Sequence, residues 1–193
     1  MKRGAYLRRA LAKAGAISLE ATAFRAIQTR FQDNPLGAIG SLRGRRFNPK
    51  GRQALYLCED AIACLREVEF GLSSGGAFEA KPLDAYTIFA VNFSLQKVLD
   101  LTDPKILKFL NTSREELIAP WRPIQIRGKV APTQALGLFA RALGYEALKA
   151  PSAVLEDKVN LVVFPINMKA GSYLELIHPT RRTKVRLEGA GIP

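Results

Sequence analysis

Three side chains at short spacing could act on one ligand: Arg46, Tyr56 and Glu67. Arg46 lies in the basic, glycine- and proline-punctuated run Gly44-Arg45-Arg46-Phe47-Asn48-Pro49-Lys50-Gly51-Arg52. Tyr56 follows in Ala54-Leu55-Tyr56-Leu57-Cys58, and Glu67 stands eleven residues beyond the tyrosine. A guanidinium binds anions through charge-assisted, bidentate bonds. A flat ring offers a face for stacking, and a carboxylate flanked by small residues can reach into a recess. Together they suit a small anionic ligand.

The elements that position them follow from local pattern. In 54–58 successive side chains alternate, so Leu55 and Leu57 face the core while Ala54, Tyr56 and Cys58 share the other face of a strand. Asp60 is placed to cap the next helix, whose apolar residues Ile62, Leu65 and Val68 recur at helical spacing. Glu67 sits at the edge of that stripe with Ala63, Cys64 and Gly71 one turn away, whereas Glu69 lies beside Leu65 and Arg66. Before the basic run, Gln32 to Gly44 reads as a loop whose glycines allow a close backbone approach.

The rest of the chain predicts a mixed α+β domain rather than a regular doubly wound sheet. Helix is expected from Arg8 to Leu19, with Leu7, Leu11 and Ala14 on its apolar side, and Ala23 to Phe31 is ambiguous between strand and helix. A flexible turn is expected at Gly71 to Gly76, followed by strands at Ala85 to Phe93 and Leu95 to Leu101. Short helices start at Asp103-Pro104 and Thr112-Ser113, and Trp121 is expected to anchor this region to the core. A helix from Thr133 to Leu143 turns Leu136, Phe139, Ala140 and Leu143 inward. Strands follow at Tyr145 to Lys149, Leu161 to Ile166, Tyr173 to Ile177 and Lys184 to Leu187.

Composition narrows the function classes. The 193 residues fit one domain, and 48% apolar with 24% charged residues is ordinary globular usage. No apolar run approaches a membrane span, and the start Met1-Lys2-Arg3 leads into an arginine-interrupted helix, so a cytoplasmic protein is expected. Cys58 and Cys64 give no disulfide framework. His178 is the single histidine, which argues against a zinc site, so no metal is expected and the residue is read as structural. The Walker and Gly-x-Gly-x-x-Gly patterns are absent, removing support for dinucleotide redox chemistry. A net charge of +12 suits a small anion, an acidic protein or nucleic acid equally. A non-catalytic basic binding protein is therefore the alternative from another class.

Taken singly, Ser152 after Pro151 reads as a turn or cap, and Arg45, Arg46 and Arg52 as a solvated loop. Their order together with Phe24-Arg25, Thr133-Gln134-Ala135-Leu136 and Asn160-Leu161-Val162-Val163-Phe164 resembles the RES domain family, named for its Arg, Glu and Ser. The resemblance runs from about Phe24 to Phe164. It implies one domain over 1–193, with an N-terminal helical extension (1–22), the family core (23–167) and C-terminal strands (168–193). It also implies an ADP-ribosyltransferase-like fold, in which a split, mainly antiparallel sheet and surrounding helices enclose a cleft.

The function implied is that of a toxin of a bacterial toxin-antitoxin pair that cleaves NAD between nicotinamide and ribose, with a protein ADP-ribosyltransferase as the alternative enzyme. NAD would be the substrate, and no cofactor is expected. The implied catalytic residues are Arg46, Tyr56, Glu67 and Ser152, and Arg25, Asn48 and Gln134 join Arg46 and Tyr56 as substrate-binding positions. Arg46 and Arg25 would hold the pyrophosphate, Tyr56 the nicotinamide ring, Glu67 the ribose, and Ser152 would lend an orienting hydroxyl. Expected partners are an Xre-like antitoxin, through which DNA contact would mainly run, and a second copy of the chain within that complex. One departure stands out. Many relatives carry a basic residue soon after the serine, whereas Ala153-Val154 follow here and Lys149 is the candidate substitute.

Overall fold

The computed structural model describes residues 2–73, 86–178 and 181–190. The expected turn at Gly71 to Gly76 falls partly outside them. Helix α1 (Lys2–Lys13) precedes strand β1 (Ile17–Gln28), a 3-10 turn at Ile39–Arg43, strand β2 (Leu55–Cys58) and helix α2 (Ala61–Ser73). Next come β3 (Tyr86–Asp100), α3 (Pro104–Phe109), α4 (Arg114–Ile118), α5 (Arg122–Ile126) and α6 (Pro132–Ala142). The chain continues through β4 (Ala147–Pro151), β5 (Val159–Val163), β6 (Tyr173–Ile177) and β7 (Lys184–Glu188). The architecture is α+β, as expected.

Two expectations along the chain change. The first helix ends at Lys13 and the chain turns to strand at Ile17, because Ile17 to Gln28 finds an antiparallel partner in β3 along nearly its whole length, Ile17↔Val98 to Gln28↔Tyr86. That pairing outweighs the helical propensity of Leu19-Glu20-Ala21, and it carries β1 across the expected boundary at residue 22. The strands expected at 85–93 and 95–101 are one strand, β3, since nothing at Ser94 turns the chain.

The sheet is not split. Its strands run β1-β2-β5-β4-β3-β6-β7, and β1 also pairs with β3, so β1, β2, β5, β4 and β3 close into a ring from which β6 and β7 extend. Only β3–β4 is parallel among the described pairings. Closure follows from the length of β3. It pairs with β6 through Asn92 to Ser94 and with β4 through Val98 to Asp100, while β1 occupies its opposite edge. Ring closure removes open edges.

Alternation then gives β2, β4 and β5 apolar residues on both faces. Leu55, Leu57, Val91, Phe93, Leu161 and Val163 pack together on one side. On the other, Tyr56, Leu148, Val162 and Phe164 pack beneath α1 and α6 through Leu11, Leu136 and Ala140. The assignment of Leu55 and Leu57 to the core and Tyr56 to the opposite face therefore holds. Trp121 belongs to neither buried cluster; it is half-buried at the start of α5, with the Arg122 guanidinium 5.1 Å from its ring centre.

Candidate functional site

Glu67 is aimed by helix α2. Asp60 caps that helix as expected, its Oδ1 accepting from the Ala63 N–H at 2.7 Å. The packed face is not the Ile62-Leu65-Val68 stripe, for Ile62 is 67% exposed while Ala63 and Cys64 are buried against Phe24, Ala26 and Cys58. Small residues let the helix lie close to the sheet, and Glu67, one turn beyond them, is carried inward. Cys64 seals the contact by donating its thiol to the Phe24 carbonyl at 3.1 Å.

The β4–β5 hairpin meets the carboxylate from the other side. Ser152 Oγ donates to Glu67 Oε1 at 2.7 Å, and Asn160 Nδ2 donates to the same oxygen at 2.7 Å. Ser152 is also a turn residue, since its hydroxyl accepts from the N–H groups of Val154 and Leu155 at 3.1 and 3.2 Å. The turn fixes the hydroxyl that Glu67 receives. Lys149 does not stand in for the basic residue absent after Ser152, because its Nζ is paired with Asp100 Oδ2 at 3.0 Å.

Arg46 is 7% exposed, and its Nη1 has no hydrogen-bond partner. Its guanidinium lies 4.9 Å from the Phe47 ring centre. Burial lowers its pKa, and the charges of Glu67 and then Tyr56 oppose that shift. Such a cation, buried without a direct carboxylate bond among the described residues, is costly unless a ligand completes it. Tyr56 anchors the loop behind Arg46: its hydroxyl donates to Asn48 Oδ1 at 2.8 Å and accepts from the Phe47 N–H at 3.0 Å. Burial pushes the phenol up from its ordinary pKa, while the Phe47 N–H bond and the charges of Arg46 and Arg45 pull the other way.

The ambiguous segment is strand: Arg25 sits on β1 and turns toward the 32–44 loop. Its Nη2 donates to the Gly37 carbonyl at 2.6 Å and its Nη1 to the Tyr56 carbonyl at 3.5 Å, leaving Nε buried and unpartnered. Burial lowers its pKa to about 10, and Cys64 and Arg45 act in opposite senses.

Asn48 and Gln134 are spent inside the protein. Asn48 Nδ2 donates to the carbonyls of Ser41 at 2.8 Å and Arg52 at 2.6 Å, and its Oδ1 is taken by Tyr56. Gln134 Nε2 donates to the Arg45 carbonyl at 3.0 Å and to Gln125 Oε1 at 2.7 Å, while its Oε1 accepts from the Ala131 N–H. Asn48 braces the basic loop from within, and Gln134 holds it against α6. The approach is so close that a Cβ on Gly137 would stand 1.8 Å from the Phe47 carbonyl oxygen, so only glycine fits there.

The structure thus brings Arg46, Tyr56, Glu67 and Ser152 into one neighbourhood, sets Arg25 behind Tyr56, and leaves Gln134 on the far side of the loop. It adds Asn160, which is 4% exposed and whose Oδ1 is buried without a partner. Its signal in the sequence was a lone amide inside the apolar strand Val159-Asn160-Leu161-Val162-Val163, since a buried polar residue needs a reason. His178, by contrast, is buried structure, with its ring edge-on to Phe89 at 5.8 Å and Nε2 3.2 Å from the Gln32 carbonyl.

The sequence matches the RES domain over residues 22–184, and the chain belongs to that family. Among solved structures it is similar to a chain of the M. tuberculosis MbcT-MbcA toxin-antitoxin complex. The identity is 26%, the TM-score is 0.68, and 96% of this chain and 93% of that chain are covered. A search of curated proteins finds no match.

Proposed function

We propose that this protein is the toxin of a bacterial toxin-antitoxin pair and that it cleaves NAD between nicotinamide and ribose. The observation that carries the reading is the pair of unsatisfied buried atoms next to Glu67, Arg46 Nη1 and Asn160 Oδ1. Each unpartnered buried group costs about 1–3 kcal/mol, a cost that a ligand offering both an anion and hydroxyl donors removes. NAD offers both. Family membership and the likeness to a chain of a toxin-antitoxin complex support the same reading.

In this mechanism Arg46 binds the pyrophosphate, with Arg25 adding positive charge behind it. The hydroxyl of Tyr56 is occupied, so the tyrosine contributes its ring face against the nicotinamide. The bond between ribose C1′ and the pyridinium nitrogen breaks, and its electron pair neutralises the departing nicotinamide while positive charge grows on the sugar. Glu67, held by Ser152 and Asn160, opposes that charge, and such stabilisation lowers the barrier because it is strongest in the transition state. The acceptor, whether water, phosphate or a protein side chain, then bonds to C1′. By this chemistry the domain groups with ADP-ribosyltransferase-like enzymes, although its described sheet closes into a ring.

An enzyme that consumes NAD must be restrained in its host. The reading therefore includes a cytoplasmic location and an Xre-like antitoxin that carries the DNA contact of the complex, with a second toxin chain in the assembly. Incubation of the purified protein with NAD tests the chemistry: free nicotinamide should appear, and added phosphate or cell lysate identifies the acceptor. Absence of nicotinamide under all three conditions would sink the enzymatic reading.

A further inference from the structure

Resting on that reading, we propose that Asn160 is a specificity-determining residue: its Oδ1 accepts a hydrogen bond from one hydroxyl of a ribose cis-diol while Glu67 takes the other. The orientation of the amide is set by chemistry. Nδ2 lies 2.7 Å from Glu67 Oε1, and a flipped amide would press its oxygen against the carboxylate oxygen, acceptor against acceptor. The donor end of Asn160 is therefore committed, and the acceptor end is left over.

That acceptor is buried and unpartnered. Its strand neighbours offer nothing to satisfy it: Asn160 pairs with Cys58 of β2 on one side and Ala150 of β4 on the other. The Ser152 hydroxyl proton is directed to Glu67. Glu67 presents a matching acceptor, for both described hydrogen bonds to its carboxylate fall on Oε1, and Oε2 accepts none of the described bonds. Two adjacent acceptors, one charged and one neutral, are the complement of two adjacent hydroxyl donors. A buried acceptor built for a hydroxyl also discriminates strongly against a sugar lacking it, because the group is then left unpaired.

The test compares kcat/KM for NAD and for NAD analogues lacking either the 2′ or the 3′ hydroxyl of the nicotinamide ribose. It uses wild type, Asn160→Ala and Asn160→Asp. An effect of Asn160 through the orientation of Glu67 alters the ratio of NAD to deoxy analogue only for the analogue lacking the hydroxyl that Glu67 takes, identified as the one whose ratio Glu67→Gln lowers, so the direct contact is read from the other analogue. For that other analogue Asn160→Ala should reduce the ratio by about tenfold or more, the size of one lost hydroxyl contact. Asn160→Asp keeps an acceptor of the same shape, so the ratio should stay near wild type while kcat falls for every substrate, because two carboxylates now face each other.

An unchanged ratio in a folded Asn160→Ala for the analogue that reads the direct contact overturns the inference, as does a ratio that collapses in Asn160→Asp. Should Asn160→Ala not fold, Asn160→Leu, which keeps the volume and removes the acceptor, takes its place in the comparison. Wild type inert toward NAD would instead overturn the underlying reading, and the inference with it.

Discussion

Two glutamates are drawn into this protein, and their surroundings are opposite. Glu146 is 0% exposed and is saturated. Its Oε2 accepts from the N–H groups of Gln96 and Lys97 at 2.5 and 2.8 Å, and its Oε1 accepts from the Lys169 N–H at 2.6 Å and the Ser172 hydroxyl at 2.7 Å. It ties the start of β4 to the middle of β3 and to the turn before β6. Burial works against its charged form, but the Lys169 N–H, the Ser172 hydroxyl and the two β3 amides outweigh it and hold its pKa below the usual 4.5. Glu67 receives two donors on one oxygen and has beside it a buried guanidinium nitrogen, Arg46 Nη1, and a buried amide oxygen, Asn160 Oδ1, that lack partners among the described residues. A polar cluster closed on itself serves stability. One left open serves a ligand, at some expense of stability.

Removing the charge from each glutamate should separate the two roles. Glu67→Gln keeps the size and an acceptor for Ser152 and Asn160 but loses the Oε2 acceptor and the charge that opposes the cationic sugar, so NAD turnover should fall about 100-fold or more. Ligand affinity should change less, and the melting temperature little. Nicotinamide release and calorimetric binding on the same preparation check this, and wild-type turnover in Glu67→Gln would show that another carboxylate acts.

Arg46→Met should weaken NAD binding by about tenfold or more, since it removes a charge-assisted phosphate contact. The same change should leave Tm unchanged or a few degrees higher, about 2–4 °C per kcal/mol in a chain of this size, because a buried cation lacking a full partner set gives way to an apolar side chain. A marked drop in Tm would mean that Arg46 is satisfied in the free protein and that the cluster is not open.

At Glu146 the sign reverses. Glu146→Gln should cost about 3 kcal/mol of stability, because an amide NH2 must face N–H donors that it cannot satisfy. Protonation should act in the same direction as the substitution. The folded-state pKa lies below 4.5, so the stabilising contribution is present above the unfolded value and disappears as pH falls through the folded one. Urea midpoints measured from about pH 7 to about pH 3 should therefore fall less steeply in Glu146→Gln than in wild type. Parallel slopes would contradict the assignment. The smallest expected effect is that of Glu69→Gln. Glu69 pairs with Arg66 at 3.0 Å on an exposed face, and such pairs contribute about 0–1 kcal/mol, so turnover and Tm should both stay near wild type.

Much of the site was legible in sequence because its clues are local. Alternation in 54–58 assigned Leu55 and Leu57 to the core and Tyr56 to the opposite face, and Asp60 announced the start of α2. The small neighbours of Glu67 marked the inward side of the helix, although the apolar residues Ile62, Leu65 and Val68 pointed elsewhere. The first helix and β1 were misread together because Leu19-Glu20-Ala21 suits a helix and only its long-range partner, β3, makes it a strand.

What tertiary structure alone decided is who satisfies whom. Asn160 reaches Glu67 across 93 positions of sequence, and Glu146 finds Gln96 and Lys97 at separations of 50 and 49. Nothing in local periodicity distinguishes these two carboxylates, because periodicity reports which face of an element is apolar. Hydrogen-bond partners are set instead by strand register and by the closing of the sheet into a ring. The sequence by itself therefore determined the family and the elements and faces that carry Tyr56 and Glu67; register decided which carboxylate would be closed off and which would be left open.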